Sequence, residues 1–214
     1  MFEISLLNCH SLLDNIVDIK SDQVIAFSDV ICLTETWLKE DLFLQQELQI
    51  KGYTLHLNSF GDQKAKGLAM YYKTDVFHVE GSTKHSTIQV SKLSSKSLDV
   101  MGVYRSKHCI VGLEHISALI NSDKTTITIG DFNVCYNEHP SHPIIKILLE
   151  IGFQQLVTQA THIEGGLIDQ IYFRNGQHPM EVDVALYSPY YTAKDHDALC
   201  VTITNCNNEV LGRF

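Results

Sequence analysis

The stretch TIGDFNVCY, residues 128–136, is the most informative part of this sequence. It completes a β-branched run, residues 125–129, of the kind that forms a buried strand. The run then ends with a glycine, a carboxylate and an amide: Gly130, Asp131 and Asn133. An Asx turn is one explanation for Asp131 and Asn133 at this point. The other explanation is that the end of this strand carries a site of chemistry, and the rest of the sequence bears on that choice.

Polar side chains end several other apolar runs in the same way. They are Asn8 after FEISLL, Glu35 after VICLT, Tyr104 in VMGVYR, Asp169 in LIDQI, and Asp195 and His196 ahead of ALCVTITN. Each has a structural alternative when taken alone, such as a turn for Asn8, a helix start for Glu35 or the edge of the core for Tyr104. The last pair could lie in a solvated loop, whereas a carboxylate inside an apolar strand, as at Asp169, is costly unless it is paired. Taken together, these positions predict one rim at which the polar side chains converge.

The composition indicates a globular protein with one domain. The chain has 214 residues, of which 44% are hydrophobic and 19% charged, and this length suffices for a substantial core. It contains no run of about twenty apolar residues for a membrane span, and its N-terminus lacks the pattern of a signal peptide. Six cysteines without a CxxC pair favour free thiols in a reducing, intracellular compartment. We expect residues 1–205 to form the domain and residues 206–214 a C-terminal tail.

The formal net charge of −9 argues against a nucleic-acid partner, which normally requires a basic face. Two features weaken this objection. Acids that belong to a metal site would be offset by the cation, and the basic residues occur in local clusters, such as Lys64 with Lys66 and Arg105 with Lys107. We therefore expect DNA binding that is weak without specific contacts and strongly sensitive to salt.

The order of predicted elements indicates an α/β protein rich in strands. Apolar residues at helical spacing predict helices in SLLDNIVDIKSD, GLEHISALINS and PIIKILLEIGF. Apolar runs and alternation predict strands elsewhere, including LVTQATH, a GLAMYYK–VFHVEG pair and a STIQVSKL–SLDVMGVYR pair. The count of elements favours a four-layer α/β sandwich, in which two mainly antiparallel sheets pack face to face and are flanked by helices.

In chain order the polar motifs form a specific series. It consists of N-x-x-S at residues 8–11, TETW at 34–37, YR at 104–105, GDFN at 130–133, LID at 167–169 and DH at 195–196. Over residues 4–204 the series resembles the endonuclease/exonuclease/phosphatase superfamily. Within that superfamily, ICLTETWL, GDFNV and ATHIEGGLID are most similar to the apurinic/apyrimidinic-type endonuclease domains of mobile elements, namely LINE-type non-LTR retrotransposons and Helitron-type transposons.

The resemblance implies a metal-dependent hydrolysis and a metal site. Mg²⁺, with Mn²⁺ as a substitute, would be held by Glu35 with Asn8 beside it, because a hard cation prefers oxygen ligands. Asp195 would assist the metal or protonate the leaving group. Asp131 matches the residue that orients or deprotonates the attacking water, and Asn133 the residue that holds water or a phosphate oxygen. The general base stays open at this point, since mechanisms within the superfamily differ.

Three further residues complete the implied site. His196 matches a histidine that contacts the phosphate, and Asp169 matches the carboxylate that fixes its tautomer, so we expect a hydrogen bond between them. Tyr104 would contact the phosphate or assist the leaving group.

The sequence departs from the superfamily pattern at two places. His10 stands where many relatives carry an acid or an arginine, and a neutral histidine binds phosphate less reliably than arginine does. Gly165 and Gly166 precede LID, where relatives often carry a hydroxyl or basic side chain. Both departures bear on rate and substrate preference rather than on the central residues. Candidate DNA contacts, for which ordinary solvated charge is the alternative, are Lys64, Lys66, Arg105, Lys107 and His10.

We therefore expect a Mg²⁺-dependent DNA endonuclease that nicks DNA and leaves a 3′-hydroxyl. It would be the target-nicking domain of a transposable element, excised from or related to a larger reverse transcriptase or helicase polyprotein, and would act in the nucleus without a membrane partner. No inserted aromatic or basic wedge is evident, which favours a nickase over a repair enzyme. The alternatives are another phosphoesterase, such as a phosphatase or RNA nuclease, and a catalytically inactive DNA- or protein-binding relic.

Overall fold

The computed structural model describes residues 1–38, 46–59, 66–85, 87–107, 116–120, 123–191 and 195–205. The strands are β1 Phe2–Asn8, β2 Val30–Thr34, β3 Thr54–Asn58, β4 Leu68–Tyr72, β5 His78–His85, β6 Ile88–Ser94, β7 Leu98–Arg105, β8 Thr125–Asp131, β9 Gln154–Gln155, β10 Asp169–Arg174, β11 Met180–Tyr187 and β12 Ala198–Asn205. The helices are α1 Leu12–Ser21, α2 Gln23–Ala26 and α3 Pro143–Glu150. Most of the helix expected in GLEHISALINS, and the whole tail 206–214, lie outside the described residues.

The strands form two six-stranded sheets. The first has the order β11-β12-β1-β2-β4-β3 and the second the order β5-β6-β7-β8-β10-β9. β1 pairs with β2, and β7 with β8, in parallel, whereas the other pairs are antiparallel. The two parallel pairs lie at the centre of their sheets and read as continuous buried runs, as expected for strands covered on both faces.

The core has three parts, and they define four layers. The inner faces of the two sheets share one apolar cluster, which includes Leu6, Val100 and Ile129. The outer face of the first sheet packs against α1 and α2. The outer face of the second sheet packs against α3. The structure is therefore the predicted sandwich of helix, sheet, sheet and helix.

Two details of the predicted strand arrangement are wrong. β4 and β5 do not pair, because β4 lies between β2 and β3 in the first sheet while β5 pairs with β6 in the second. After β4, Lys73 forms an ion pair of 2.8 Å with Asp29, which holds the chain beside the first sheet. Phe77 then packs into the core between the two sheets, just before β5 begins. The expected strand LVTQATH is mostly irregular, since the backbone N–H groups of Thr161 and His162 both donate to Gly166 within a tight loop.

One edge of the sandwich collects the ends of the central strands. Because β1 and β2 are parallel, Asn8 lies beside Thr34, the residue before Glu35. β7 and β8 are parallel as well, so Tyr104 lies beside Asp131 at the end of the second sheet. The fold thus places the carboxyl ends of four strands from two sheets along one rim. None of the helices in the described ranges is long and apolar enough to cross a membrane.

Candidate active site

The registers of three neighbouring strands bring predicted site residues together in the second sheet. Asp131 on β8 is opposite Tyr104 on β7 and opposite Asp169 on β10. All three side chains are buried, with exposed fractions of 3% or less. Two carboxylates and a phenol side by side at a strand end would cost free energy in an ordinary core. This arrangement is the first indication that the rim does more than end the strands.

Asn8 joins the two sheets at this rim. Its side-chain Nδ2 donates to Asp131 Oδ2 at 3.3 Å and lies 3.4 Å from His196 Nε2. Asp131 Oδ1 also accepts from the backbone N–H of Asn133 at 2.8 Å. Asp131 and Asn133 therefore do form an Asx turn, and that turn fixes the carboxylate in the site. The Asx turn predicted from TIGDFNVCY is therefore present, and the site of chemistry at this strand end stays a prediction.

The hydrogen bond expected between His196 and Asp169 is present. His196 Nδ1 lies 2.7 Å from Asp169 Oδ2, and the imidazole is 8% exposed. Thr161 holds the backbone on both sides of this pair. Its hydroxyl accepts a hydrogen bond from the Asp169 backbone N–H at 3.1 Å, and its carbonyl oxygen accepts one from the Asp197 backbone N–H at 2.9 Å. The carboxylate fixes the ring orientation of His196 and leaves Nε2 facing the site.

The loops at this rim carry unusual backbone conformations. Among the described residues, the positive φ angles outside glycine are at His10, Ser11, Glu35, Trp37 and Asn133. All five positions follow β1, β2 or β8. A positive φ costs free energy for a residue with a Cβ atom, and such positions concentrate at functional sites. The loops are held in place by backbone bonds, including Ser11 N–H to Glu35 O at 3.0 Å.

Burial and neighbouring charges set the protonation of the site. Burial, and next the charge of Asp169, raise the pKa of Asp131 well above its usual range. Burial also raises the pKa of Tyr104, and the charges of Glu35 and Asp131 add to this effect, so the phenol keeps its proton. Burial lowers the pKa of His196, but the bond to Asp169 and the charges of Asp169, Asp131 and Asp195 outweigh it and bring that pKa to about 9. The raised pKa makes the Asp131 carboxylate a stronger base than an ordinary one, and the raised pKa values of Tyr104 and His196 favour their proton-bearing forms.

An open cleft of about 640 Å³ lies in front of these residues. Its wall contains both acidic and basic or imidazole groups. The acidic, basic and imidazole side chains that line it are Glu35, Glu138, Glu164, Asp195, Arg105, Lys107, His139, His142, His162 and His196. A cleft with both signs of charge suits a phosphodiester and a cation together.

The candidate DNA contacts have different surroundings. Arg105 is not the solvated charge that was the alternative, because it is 4% exposed and its guanidinium donates to the Phe132 carbonyl at 3.0 Å, but it does line the cleft. Lys107 is exposed and lines the cleft, and Lys66 is half-buried. His10 is exposed, with Nε2 3.9 Å from Glu35 Oε2. Lys64 lies outside the described residues.

Sequence reasoning missed two residues in the loop before β10. Thr161 anchors Asp169, as described above. His162 lies against His196 with ring centroids 4.8 Å apart. The motif ATHIEGGLID contained both residues, but nothing in their spacing distinguished them from ordinary loop residues. Their contacts with the loop before β12 depend on the fold.

The comparisons with known proteins agree with this geometry. The model of the Endonuclease/Exonuclease/phosphatase family matches residues 6–194. The chain belongs to this family. This match confirms the suspected superfamily. The search of curated proteins found no match.

Solved structures share the fold of this family member at low sequence identity. An AP endonuclease from Archaeoglobus fulgidus superposes with a TM-score of 0.73 at 15% identity, covering 94% of this chain and 99% of that chain. The endonuclease domain of TRAS1, a telomere-specific non-LTR retrotransposon, gives 0.66 at 12% identity, covering 95% and 98%. The 3′ phosphatase NExo from Neisseria, bound to a product DNA hairpin, gives 0.64 at 16% identity, covering 94% and 99%. These likenesses establish the sandwich fold.

The family implies a divalent cation, and the residues at the rim fit one. Asp195 Oδ1 is buried and has no hydrogen-bond donor among the described residues, as an oxygen reserved for a cation would be. Glu35 and Asp195 both line the cleft, and they supply the carboxylate oxygens that hard cations prefer. In the described part of the chain, potential ligand atoms of His162, Asp195 and His196 also lie within 4.8 Å of one another.

Proposed function

We propose that this protein is a Mg²⁺-dependent endonuclease that nicks DNA and leaves a 3′-hydroxyl. The observation that carries the proposal is the group formed by Asn8, Asp131, Asp169 and His196, in which polar contacts of 2.7–3.4 Å join both sheets at the cleft. Phosphodiester hydrolysis needs an acceptor for the proton of water and donors for the charged phosphoryl oxygens. This group contains both.

The chain's own residues divide the reaction between them. Asp131, with its raised pKa, accepts the proton of the attacking water, and Asn133 holds that water or a phosphate oxygen. His196 presents its Nε2 to the phosphate, while Asp169 keeps the ring in place. Tyr104, which retains its proton, donates to the phosphate or to the departing oxygen.

Glu35, Asn8 and Asp195 would hold the Mg²⁺ ion, for which Mn²⁺ could substitute. When bound, the ion supplies positive charge that stabilises the negative charge developing in the transition state. Lys107, Lys66 and the cleft-lining Arg105 are candidates for contacts with the DNA backbone, and His10 is a candidate beside Glu35.

A role as the target-nicking domain of a transposable element is the finer part of the proposal. It is supported by ICLTETWL, GDFNV and ATHIEGGLID and by the fold shared with the TRAS1 endonuclease domain. In that role the domain would act on chromosomal DNA in the nucleus, as part of or related to a larger reverse transcriptase or helicase polyprotein.

The test is nicking of supercoiled plasmid with Mg²⁺, Mn²⁺ or EDTA, using wild type, Glu35→Ala and His196→Ala. We expect open circles with either metal and none with EDTA or with either variant. A polymerase that extends from the nick would report the 3′-hydroxyl. Recurrent sequence at the mapped nicks would support target selection by a mobile element.

Other outcomes would select the alternatives. Metal-dependent release of phosphate from a 3′-phosphorylated oligonucleotide, or cleavage of RNA with intact plasmid, would replace the nickase with another phosphoesterase. DNA binding without turnover of any of these substrates would indicate an inactive relic.

A further inference from the structure

His162 lies in the same cleft as the proposed catalytic residues, although no role has yet been given to it. Its side chain is 18% exposed, and its ring meets His196 edge to face, with centroids 4.8 Å apart and an interplanar angle of 85°. Its Nε2 lies 3.9 Å from Asp195 Oδ2. That distance is too long for a hydrogen bond, and it leaves room for an atom of a ligand beside both groups.

The position of His162 is fixed by backbone contacts. His162 and His196 form an isolated antiparallel bridge, and the neighbouring Ile163 N–H donates to Asp195 O at 2.8 Å. The Gly165 N–H closes a tight turn on the His162 carbonyl at 2.8 Å. The loop before β10 and the loop before β12 therefore hold the two imidazoles as one unit.

A hydrogen bond assigns the tautomer of His162. Its Nδ1 accepts from the backbone N–H of Glu164 at 3.2 Å, so in the neutral ring the proton is on Nε2. This Nε2–H is directed away from the turn, on the side where Asp195 and His196 lie. The ring thus presents a donor, not a lone pair, to the cleft.

The tautomer decides between two ligands for this group. The ligand atoms of His162, Asp195 and His196 lie within 4.8 Å of one another, which is close enough for a metal ion. A metal would need a lone pair on His162 Nε2, and gaining it would break the Glu164 bond, because that bond needs a lone pair on Nδ1. An oxygen anion is bound by the ring as it stands.

We infer that His162 is a second substrate-contacting imidazole, whose Nε2–H donates to a non-bridging oxygen of the phosphodiester held by His196. The inference rests on the proposed phosphodiesterase function and assigns one more residue to that site. Asp195 serves both ligands, because Oδ2 faces His162 while the buried Oδ1 has no donor among the described residues and stays available to the cation.

Kinetics of plasmid nicking with Mg²⁺ test the inference through two substitutions. His162→Phe keeps a ring against His196 but removes the donor, and His162→Gln restores an N–H donor. We expect His162→Phe to raise KM about 10- to 100-fold with little change in kcat, as for a hydrogen bond to a charged group, and His162→Gln to recover most of the loss. His178→Phe is the matched control, because His178 is exposed and lies beyond the opposite end of the strands.

Some kinetic results would overturn the inference while leaving the proposed function in place. One is unchanged KM in His162→Phe while wild type nicks and Glu35→Ala does not. Another is a fall in kcat alone that His162→Gln does not restore, since that result would mean that His162 only positions His196.

A binding measurement does not depend on turnover. Inorganic phosphate is titrated into the protein with Mg²⁺, and the imidazole nitrogens are followed by NMR. We expect the His162 Nε2 resonance to shift and the dissociation constant to rise about tenfold in His162→Phe. An unshifted resonance in wild type contradicts the inference even if the protein nicks nothing.

A parallel titration with Zn²⁺ addresses the competing ligand. We expect the same weak Zn²⁺ affinity in wild type and His162→Phe. Tight Zn²⁺ binding that His162→Phe abolishes, with unaltered phosphate binding, would replace the anion site with a metal site.

Discussion

Glu35 combines a predicted metal ligand with a backbone conformation that suits glycine. Its φ angle is 52°, and its charge also raises the pKa of the buried Asp131. A residue with a Cβ atom at this φ angle costs stability, and such strained positions concentrate at functional sites. The argument concerns a single residue, and substitution at that residue can test it.

We predict that Glu35→Gly is more stable than Glu35→Ala by about 1 kcal/mol, although both lack activity. Glycine adopts a positive φ without strain, whereas alanine there keeps a Cβ atom in the wrong region. Urea denaturation measures the difference in the free energy of unfolding.

The control for this prediction is Glu181, an exposed residue in β11. At this extended position the order should reverse, with alanine more stable than glycine. Equal stability of Glu35→Gly and Glu35→Ala would show that the left-handed conformation at Glu35 carries no strain.

The contacts of Gly130 explain why a glycine precedes Asp131 at the end of β8. A Cβ atom placed there would come within 1.8 Å of the Val103 carbonyl oxygen on the neighbouring strand β7. The parallel strands thus approach so closely that Tyr104 and Asp131 stand side by side at the cleft. Glycine is needed for this approach of the backbones rather than for a turn.

We predict that Gly130→Ala lowers the free energy of unfolding by about 3 kcal/mol, because the two backbones must separate. Gly166→Ala is the control, since a Cβ there meets its nearest neighbour, Ile168, at an ordinary 3.6 Å. Denaturation in urea measures both variants. Equal losses of stability in both would mean that β7 and β8 adjust freely.

At the scale of elements, β6 and β7 are joined by a buried ion pair far from the site. Lys92 and Asp99 are 1% and 0% exposed, and Lys92 Nζ lies 2.8 Å from Asp99 Oδ2. Ser94 and Lys124 contact the other carboxylate oxygen at 2.7 and 3.3 Å. Removing one member of such a group leaves a buried charge without compensation.

We predict that Asp99→Asn destabilises the protein by about 3–5 kcal/mol, because Lys92 would keep its charge in the interior. Glu80→Gln is the matched control, since Glu80 also contacts Lys92, at 3.1 Å, but its side chain is 42% exposed. That variant should lose about 1 kcal/mol or less. Comparable losses of stability in the two variants would show that Asp99 is no more important than Glu80 for compensating the charge of Lys92.

Local patterns predicted the type of element well and the pairing of elements less well. The apolar runs of β1, β2 and β8 and the helical spacing of α1 and α3 were sufficient to identify them. The separation of β4 from β5 depends on the Lys73–Asp29 ion pair and on Phe77 entering the core, contacts between parts of the chain that sequence neighbours do not reveal. The irregular chain before β10 follows from bonds inside its own loop.

The site as a whole shows the same division. Motif order sufficed to select Asn8, Asp131, Asp169 and His196, because their residue types and positions at strand ends are distinctive. The burial of Arg105 against Phe132, and the approach of His162 to His196, arise from loops that meet only in the folded molecule. A sequence shows which groups are present at the rim, whereas the fold determines which of them touch.

The free energy of unfolding of the whole molecule depends on pH through groups whose pKa values change on folding, and the direction of the effect is clear for His196. Its pKa is raised to about 9 from the ordinary 6.5. Between these values the folded protein binds a proton that the unfolded chain has released, so the contribution to stability is complete below pH 6.5 and is lost as pH rises through 9.

In EDTA, we predict that wild type loses on the order of 3 kcal/mol relative to His196→Gln between pH 6 and pH 9.5. Urea denaturation at the two pH values measures this, and the titratable groups that do not interact with His196 cancel between the two proteins. His178→Gln, which alters an exposed histidine, should show no such change in its difference from wild type. If the difference between wild type and His196→Gln is the same at both pH values, Asp169 does not hold a proton on His196, and the imidazole meets its substrate uncharged.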